Sequence, residues 1–216
     1  MSSTEQSETH VSLFEFELTG KLIGSGSYAD VTLCKRYRGG QEYALKSINK
    51  QKAMQKRMVK YIQNERSVLL SLSHPHIVKL HFTSRDAENV YMFYEYCSKG
   101  ELWAWLQRFP RKIVPLPLRR IWMAQIVSAM EYIHAKGIAH RDLKPENIFV
   151  SADYSLKVGD FGTSKRMEDL QREDSEKEAR LRAAMAKHAN MKDETGEGGA
   201  AFEEHRRKSI LYDASR

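Results

Sequence analysis

The run His140-Arg141-Asp142-Leu143-Lys144-Pro145-Glu146-Asn147, followed thirteen positions after Asn147 by Asp160-Phe161-Gly162, decides how the rest of this sequence is read. It sets an aspartate, a lysine two positions on and an asparagine five positions on in one short stretch. A carboxylate can orient a hydroxyl and accept its proton, and an ammonium can meet a transferring phosphoryl group. An amide oxygen and a second carboxylate can ligate Mg2+. Phosphoryl transfer requires that set together. His140, taken alone, is a packed core histidine.

Working outward, Gly24-Ser25-Gly26-Ser27-Tyr28-Ala29, with Val31 after it, lies between two strand-like runs. Glycines let a backbone approach phosphate oxygens and offer them N–H groups. A Rossmann loop would instead open a helix. The loop on its own also fits a plain hairpin turn. Ala29 stands where a third glycine is usual, and it is small enough for the loop to close. Ala44-Leu45-Lys46 follows on a strand, and Glu65 comes nineteen positions after Lys46 on an amphipathic helical stretch. A lone strand lysine is ordinarily a solvated edge residue. A buried one facing phosphates needs an anion to hold it, and a helix on the sheet can deliver that anion.

Taken in order, the glycine loop, Ala-x-Lys, Glu65, HRDLKPEN and DFG resemble the eukaryotic protein kinases, over roughly residues 14–165. The resemblance implies an α+β protein-kinase-like fold. Its N-lobe, residues 14–97, would be a complete five-stranded antiparallel sheet with its αC helix, and residues 98–165 an incomplete helical C-lobe carrying the catalytic loop. It implies ATP and Mg2+ as ligands. Asp142 would be the catalytic base and Lys144 the γ-phosphate lysine typical of serine/threonine kinases, with Asn147 and Asp160 as metal ligands. Lys46 would contact the α/β-phosphates with Glu65 as its ion-pair partner. Ile23, Gly24, Ser25, Gly26, Val31, Ala44, Glu95, Cys97, Glu101 and Phe149 would complete the ATP site. Tyr94 aligns with the gatekeeper. Leu69, Leu80, His140 and Phe161 align with the apolar spine that crosses the lobes.

HPHIVKLHFTS, KGEL, IVSAMEYIHAKGI and DFGTSK resemble the phosphoinositide-dependent branch of the AGC group. That branch docks a hydrophobic motif of client kinases on its small lobe. Lys50, Met54, Val59, Ile62, Gln63 and Arg66 fall at the matching places, with Ala53 smaller than the usual aliphatic. An amphipathic helix facing the sheet is the plainer reading of the same residues. Protein substrates, other AGC kinases among them, are the implied partners.

Periodicity predicts strands from Phe14 to Ile48 and a helix over 53–72. Two more strands follow in HIVKLHFTS and NVYMFYEY, then helices over 101–109 and 116–137. In the last of these Ile121, Trp122, Ile126, Ala129, Met130 and Ile133 have core-facing spacing. Residues 1–13 are polar and expected to fray. The 216-residue chain is 41% apolar and 29% charged, the composition of a globular protein. Its net charge of +7 comes from 35 Lys and Arg dispersed among 28 acidic residues. There is no finger or RNP-like pattern, so no nucleic-acid partner is expected. No run is long enough to span a membrane and MSSTEQSETH is too polar for a signal peptide. Cys34 and Cys97 form no disulfide or zinc motif, which fits a cytoplasmic or nuclear setting.

After Lys165 the resemblance stops. Residues 166–216 are expected to form a charged, atypical insert or tail. Glu173–Lys177 and Glu176–Arg180 are spaced i,i+4, Gly196, Gly198 and Gly199 break the pattern, and Arg206-Arg207-Lys208-Ser209 offers Ser209 as a phosphorylation site. No Ala-Pro-Glu or Ser-Pro-Glu follows. A shortened kinase would leave the lower faces of 116–137 and 138–150 without packing partners. Two alternatives stand beside catalysis: a docking module that binds nucleotide or clients without turnover, and a helical interaction arm over 168–194.

Overall fold

The computed structural model describes residues 11–195. Its β-rich N-terminal runs form β1 (Phe16–Ser25), β2 (Ala29–Arg36), β3 (Glu42–Asn49), β4 (Leu80–Arg85) and β5 (Asn89–Glu95), an antiparallel sheet in the order β1-β2-β3-β5-β4. Period-two alternation along β3 gives this sheet two different faces. Tyr43 and Leu45 turn to one side and pack with Val11, Phe16, Cys34 and Phe93. Ala44, Lys46 and Ile48 therefore share the other, where the helices and the nucleotide-type motifs lie. The register fixes the neighbours of Lys46: it sits opposite Val31 on β2 and Met92 on β5.

The helix expected over 53–72 is two helices, α1 (Lys50–Gln55) and α2 (Val59–Ser71). Met54, Met58 and Ile62 keep i,i+4 spacing straight through the break, so periodicity cannot see it. Arg57 takes a left-handed backbone (φ 57°) and divides them. Asn49 caps α1, its side chain accepting from the Lys52 N–H at 2.9 Å. Residues 11–13 are packed and not frayed. Val11 is buried, its carbonyl accepts from Ser84 Oγ at 2.8 Å, and Ser12 forms a capping box with Glu15. Residues 1–10 lie outside the described part.

Below the sheet come α3 (Leu102–Leu106), α4 (Leu116–Ala135), the short strand β6 (Ile138–Ala139), the hairpin β7 (Ile148–Val150) and β8 (Leu156–Val158), and β9 (Lys165–Arg166) paired to β6. The lobe thus runs one residue past the expected boundary at 165. Gly137, at φ 69°, ends α4 and turns the chain into β6. Trp122, Ala129 and Ile133 are buried as the spacing predicts, but Ile121 is 55% exposed, with Leu116, Met123 and Val127 exposed on the same helix. A periodic stripe shows which residues share a face without showing what covers it. Leu116, Met123 and Val127 share one exposed apolar face of α4, and Ile121 lies away from it.

A second unit begins at Glu168. Its helix α5 (Met167–Thr195) has exposed side chains from Gln171 to Met185. Arg180 pairs with Glu176 at 3.9 Å, as its spacing predicts, and Lys177 meets Asp174 at 3.5 Å. Gly196, Gly198, Gly199 and Ser209 lie outside the described residues.

Candidate active site

The side-chain pattern of β3 delivers Lys46 to the inner face, and α2 brings Glu65 to meet it. Lys46 Nζ donates to Glu65 Oε2 at 2.7 Å, and Glu65 is only 5% exposed. Burial works against the ammonium, but the adjacent carboxylate outweighs it through charge and hydrogen bond. The net result is a lysine held above its usual range and fully charged. The other carboxylate oxygen is engaged too: the Tyr94 hydroxyl donates to Glu65 Oε1 at 2.7 Å. Burial first, and then the Glu65 charge, raise this phenol well above its normal range, so it stays a donor. The motif-based reading of Tyr94 missed this bond. A buried Tyr next to a buried carboxylate was the available signal, because a phenol out of water needs a partner.

The glycine loop closes over the same face. Gly24 and Ser25 end β1, Gly26 N donates to Ala29 O at 2.8 Å, and Ser25 Oγ donates to Asp30 at 2.6 Å. Ile23 is part-exposed, while Val31 and Ala44 are half-buried toward the cleft. At the strand exit, Glu95 pairs with Lys157 at 2.7 Å. The Cys97 carbonyl accepts from Gly100 N at 3.0 Å. Burial pushes the Cys97 thiol up to about 12, so it is inert at neutral pH. Glu101 bridges to Phe149 across the chain.

Phe149 packs on Gly159 with little slack. A Cβ on Gly159 would stand 2.8 Å from Phe149 Cε2 and 3.2 Å from Val78 Cγ2. Gly159 cannot shift away, since its N–H donates to Asn147 O at 2.8 Å and its carbonyl bonds His140 Nε2 at 2.9 Å. Gly159→Ala is therefore expected to cost about 1–3 kcal/mol through overpacking and to weaken nucleotide binding. A urea melt read alongside a nucleotide titration checks both.

The catalytic-loop motif folds as one hydrogen-bonded knot. Asp142 N donates to His140 Nδ1 at 3.3 Å, so the buried imidazole carries its proton on Nε2, toward Gly159 O. Burial lowers its pKa, which keeps it neutral. Lys144 Nζ reaches Asp142 Oδ2 at 2.8 Å, and Asn147 Nδ2 reaches both Asp142 O and Oδ2 at 2.9 Å. The Lys144 bond, ahead of the Asn147 bond and the charge of Lys144, holds the Asp142 carboxyl below its usual range. Both partners fall on Oδ2, which leaves Oδ1 to accept from a hydroxyl. Asn147 spends its NH2 on Asp142, so its amide oxygen is the atom left for a cation. Arg141 and Asp160 both take left-handed backbones, φ 71° and 57°. Such strain costs about 1–3 kcal/mol per residue and persists where neighbouring structure enforces it.

Phe161 is fully buried, edge-on to His140 at 4.7 Å. It packs in one cluster with Leu69 and Leu80, as the spine alignment implies. Asn64, which no motif singled out, donates its side-chain amide to Ser164 O at 2.8 Å, Phe161 O at 3.1 Å, Ser164 Oγ at 3.1 Å and Gly162 O at 3.2 Å. Among the described residues no cluster of three or more His, Cys, Asp and Glu could hold a metal alone. One amide and one carboxylate, Asn147 and Asp160, instead suit Mg2+, which commonly takes its remaining ligands from substrate phosphates and water.

The proposed docking residues lie along α1 and α2. Met54 is 62% exposed, Val59 and Gln63 are exposed, and Ile62 and Arg66 are half-buried. Lys50 does not join the patch as a free cation, since its ammonium binds the Asp86 and Ala87 carbonyls. Ala53 is buried in the core.

The sequence profile described as "Protein kinase domain" matches residues 18–183. The chain is 42% identical over 148 residues to 3-phosphoinositide-dependent protein kinase 1 of Homo sapiens, covering 68% of this chain and 26% of that protein. It is 41% identical over 158 residues to 3-phosphoinositide-dependent protein kinase 1 of Arabidopsis thaliana, covering 73% and 31%. A cAMP-dependent protein kinase, catalytic subunit-like, of Caenorhabditis elegans is 37% identical over 147 residues, covering 68% and 36%. The chain thus spans between a quarter and two fifths of the length of these relatives.

Proposed function

This chain belongs to the protein kinase family, and we propose that it transfers the γ-phosphoryl group of ATP to serine or threonine hydroxyls of protein substrates. The observation that carries this reading is the Asp142–Lys144–Asn147 knot standing together with a charged, anchored Lys46. Lys46, held by Glu65, orients the α- and β-phosphates. Asp142 Oδ1 accepts the substrate hydroxyl proton as the new O–P bond forms and the bond to the β–γ bridging oxygen breaks, releasing ADP. Lys144 offsets charge on the transferring group. Asn147 and Asp160 would hold Mg2+, which supplies charge neutralisation at the phosphate oxygens when bound. The floor of Phe149 and the walls of Val31 and Ala44 would exclude water from the purine.

The likeness to 3-phosphoinositide-dependent protein kinases supports a role in signal transduction, working in the cytoplasm or recruited to membranes by a partner. The open apolar patch of Met54, Val59 and Ile62 supports docking of an apolar segment of another AGC kinase. That same patch favours a second reading, a docking module that binds nucleotide or client without turnover. The test is a thermal shift with Mg·ATP beside a peptide phosphorylation assay on the purified chain, with Asp160→Ala as control. Mg2+-dependent stabilisation with transfer abolished in the control is the expected result. Binding without transfer selects the second reading, and no nucleotide binding sinks the first and leaves client docking as the form of the second.

A further inference from the structure

We propose that Asn64 is the positioning residue that holds Asp160 in place to bind the metal, acting through the backbone that follows it. The proposal rests on the nucleotide-binding reading above, and its observations are geometric. Asn64 stands mid-helix on α2, a place where asparagine is a poor helix former and needs a reason. Its two amide hydrogens face four oxygens within 3.2 Å, all from Phe161, Gly162 and Ser164. Those oxygens belong to one tight turn, in which Ser164 N and Oγ both donate to Phe161 O, at 3.1 and 2.6 Å. Ser164 is buried, so water cannot replace the amide there.

Asp160 enters this turn in a left-handed conformation, and among the described residues its side chain is tied to the turn by a long 3.4 Å bond that Oδ1 accepts from Gly162 N. That bond is too weak to hold a strained residue. Packing of Phe161 on His140, Leu69 and Leu80 holds the near end of the turn, Thr163 Oγ1 donates to His140 O at 3.2 Å, and Asn64 binds the backbone oxygens between and beyond. Glu65, the next residue on α2, anchors Lys46. One turn of helix thus places both the phosphate-facing lysine and the metal-facing aspartate. A shift of α2 would misplace the two together.

The experiment compares the full chain with Asn64→Leu, which keeps the volume and removes the donors, and Asn64→Asp, which sets a carboxylate against four oxygens. ATP affinity is measured with Mg2+ and with EDTA, and backbone hydrogen exchange at Ser164 is followed without nucleotide. Expected for Asn64→Leu is a roughly tenfold loss of Mg·ATP affinity, the size of one or two hydrogen bonds. Metal-free ATP affinity should change by less than about twofold, because Asn64 does not touch the purine or Lys46. Ser164 exchange should rise, and Asn64→Asp should be worse on each count. A variant that merely loosens the fold would lower both affinities alike. Should Asn64→Leu fail to fold, Ser164→Ala gives a smaller effect in the same direction. Equal Mg2+ dependence in wild type and variant overturns the positioning role, as does unchanged Ser164 exchange. Failure of the wild-type chain to bind Mg·ATP would instead overturn the kinase reading, with the exchange arm still deciding the clamp.

Discussion

Glu65→Ala is expected to lower the stability of the unit spanning residues 11–167 by about 3–5 kcal/mol, the usual cost of stranding a buried charge. The carboxylate satisfies two buried groups at once, Lys46 Nζ and the Tyr94 hydroxyl, each at 2.7 Å. Removing it leaves an ammonium without its carboxylate and a phenol with only the weak Met92 Sδ acceptor at 3.5 Å, and the phenol alone accounts for about 1–3 kcal/mol. These losses overlap and do not add in full. For a domain of this size the melting temperature should fall by roughly 6–20 °C. Lys46→Met combined with Glu65→Ala should recover part of that loss, because no charge is then stranded. Glu65→Gln, which keeps an acceptor for Tyr94, should sit between wild type and alanine. Nucleotide binding should suffer in every case, since a lysine without its anchor no longer points at phosphate. Thermal melts of the four proteins with and without Mg·ATP check the ordering. A Glu65→Ala protein as stable as wild type would refute the view that this pair is a buried network.

The site was legible in the sequence where its chemistry is local. Asp142, Lys144 and Asn147 lie within six positions, so their hydrogen-bonded knot follows from one loop. The Lys46–Glu65 pair was only suggestive from a strand lysine and a helical glutamate, and it was the ordered kinase motifs that joined them. Tyr94 to Glu65 and Asn64 to Phe161 were not. They join residues 29 and 97 positions apart, and such contacts depend on strand register and on how α2 is set against the sheet. In the fold, the strand-like runs were legible from Phe14 to Ile48, whereas helical periodicity ran unbroken over the turn at Arg57. Ile121 marks the other limit. Grouped with Trp122 and Ile133 as core-facing, it lies off the stripe that buried Trp122, Ala129 and Ile133 share, because a helix turns about 100° per residue. The comparisons with relatives bear on the family, while the roles of individual site residues rest on the geometry.

Asp142→Ala is expected to abolish phosphoryl transfer to within background while leaving Mg·ATP affinity nearly intact. On the proposed reading the carboxylate would receive the hydroxyl proton, a contribution of about 10²–10⁴-fold in general-base catalysis. It also accepts from Lys144, which its removal frees, whereas Asn147 keeps its bond to the Asp142 backbone oxygen and so stays in place for the metal. Stability should change little by comparison, because Asp142 is partly solvated and its pairing with Lys144 is exposed to water. Asp142→Asn keeps the shape and the Lys144 contact but loses the base, so it should be as inactive as alanine. Retained activity in Asp142→Asn would assign the carboxylate to orientation alone. The pH dependence follows from the same geometry. Lys144, then Asn147, hold the Asp142 carboxyl below its usual range, so the base stays ionised from neutral pH down past the pH where a free aspartate begins to protonate. A carboxylate depressed on folding contributes stability above its unfolded pKa, and loses it as pH falls through the lowered folded value. Activity should therefore hold through mildly acidic pH and fall only below it. Lys144→Met should move that acidic limb upward, toward the pH range of an unpaired carboxylate. A limb that stays put in Lys144→Met would mean that a group other than Asp142 sets it.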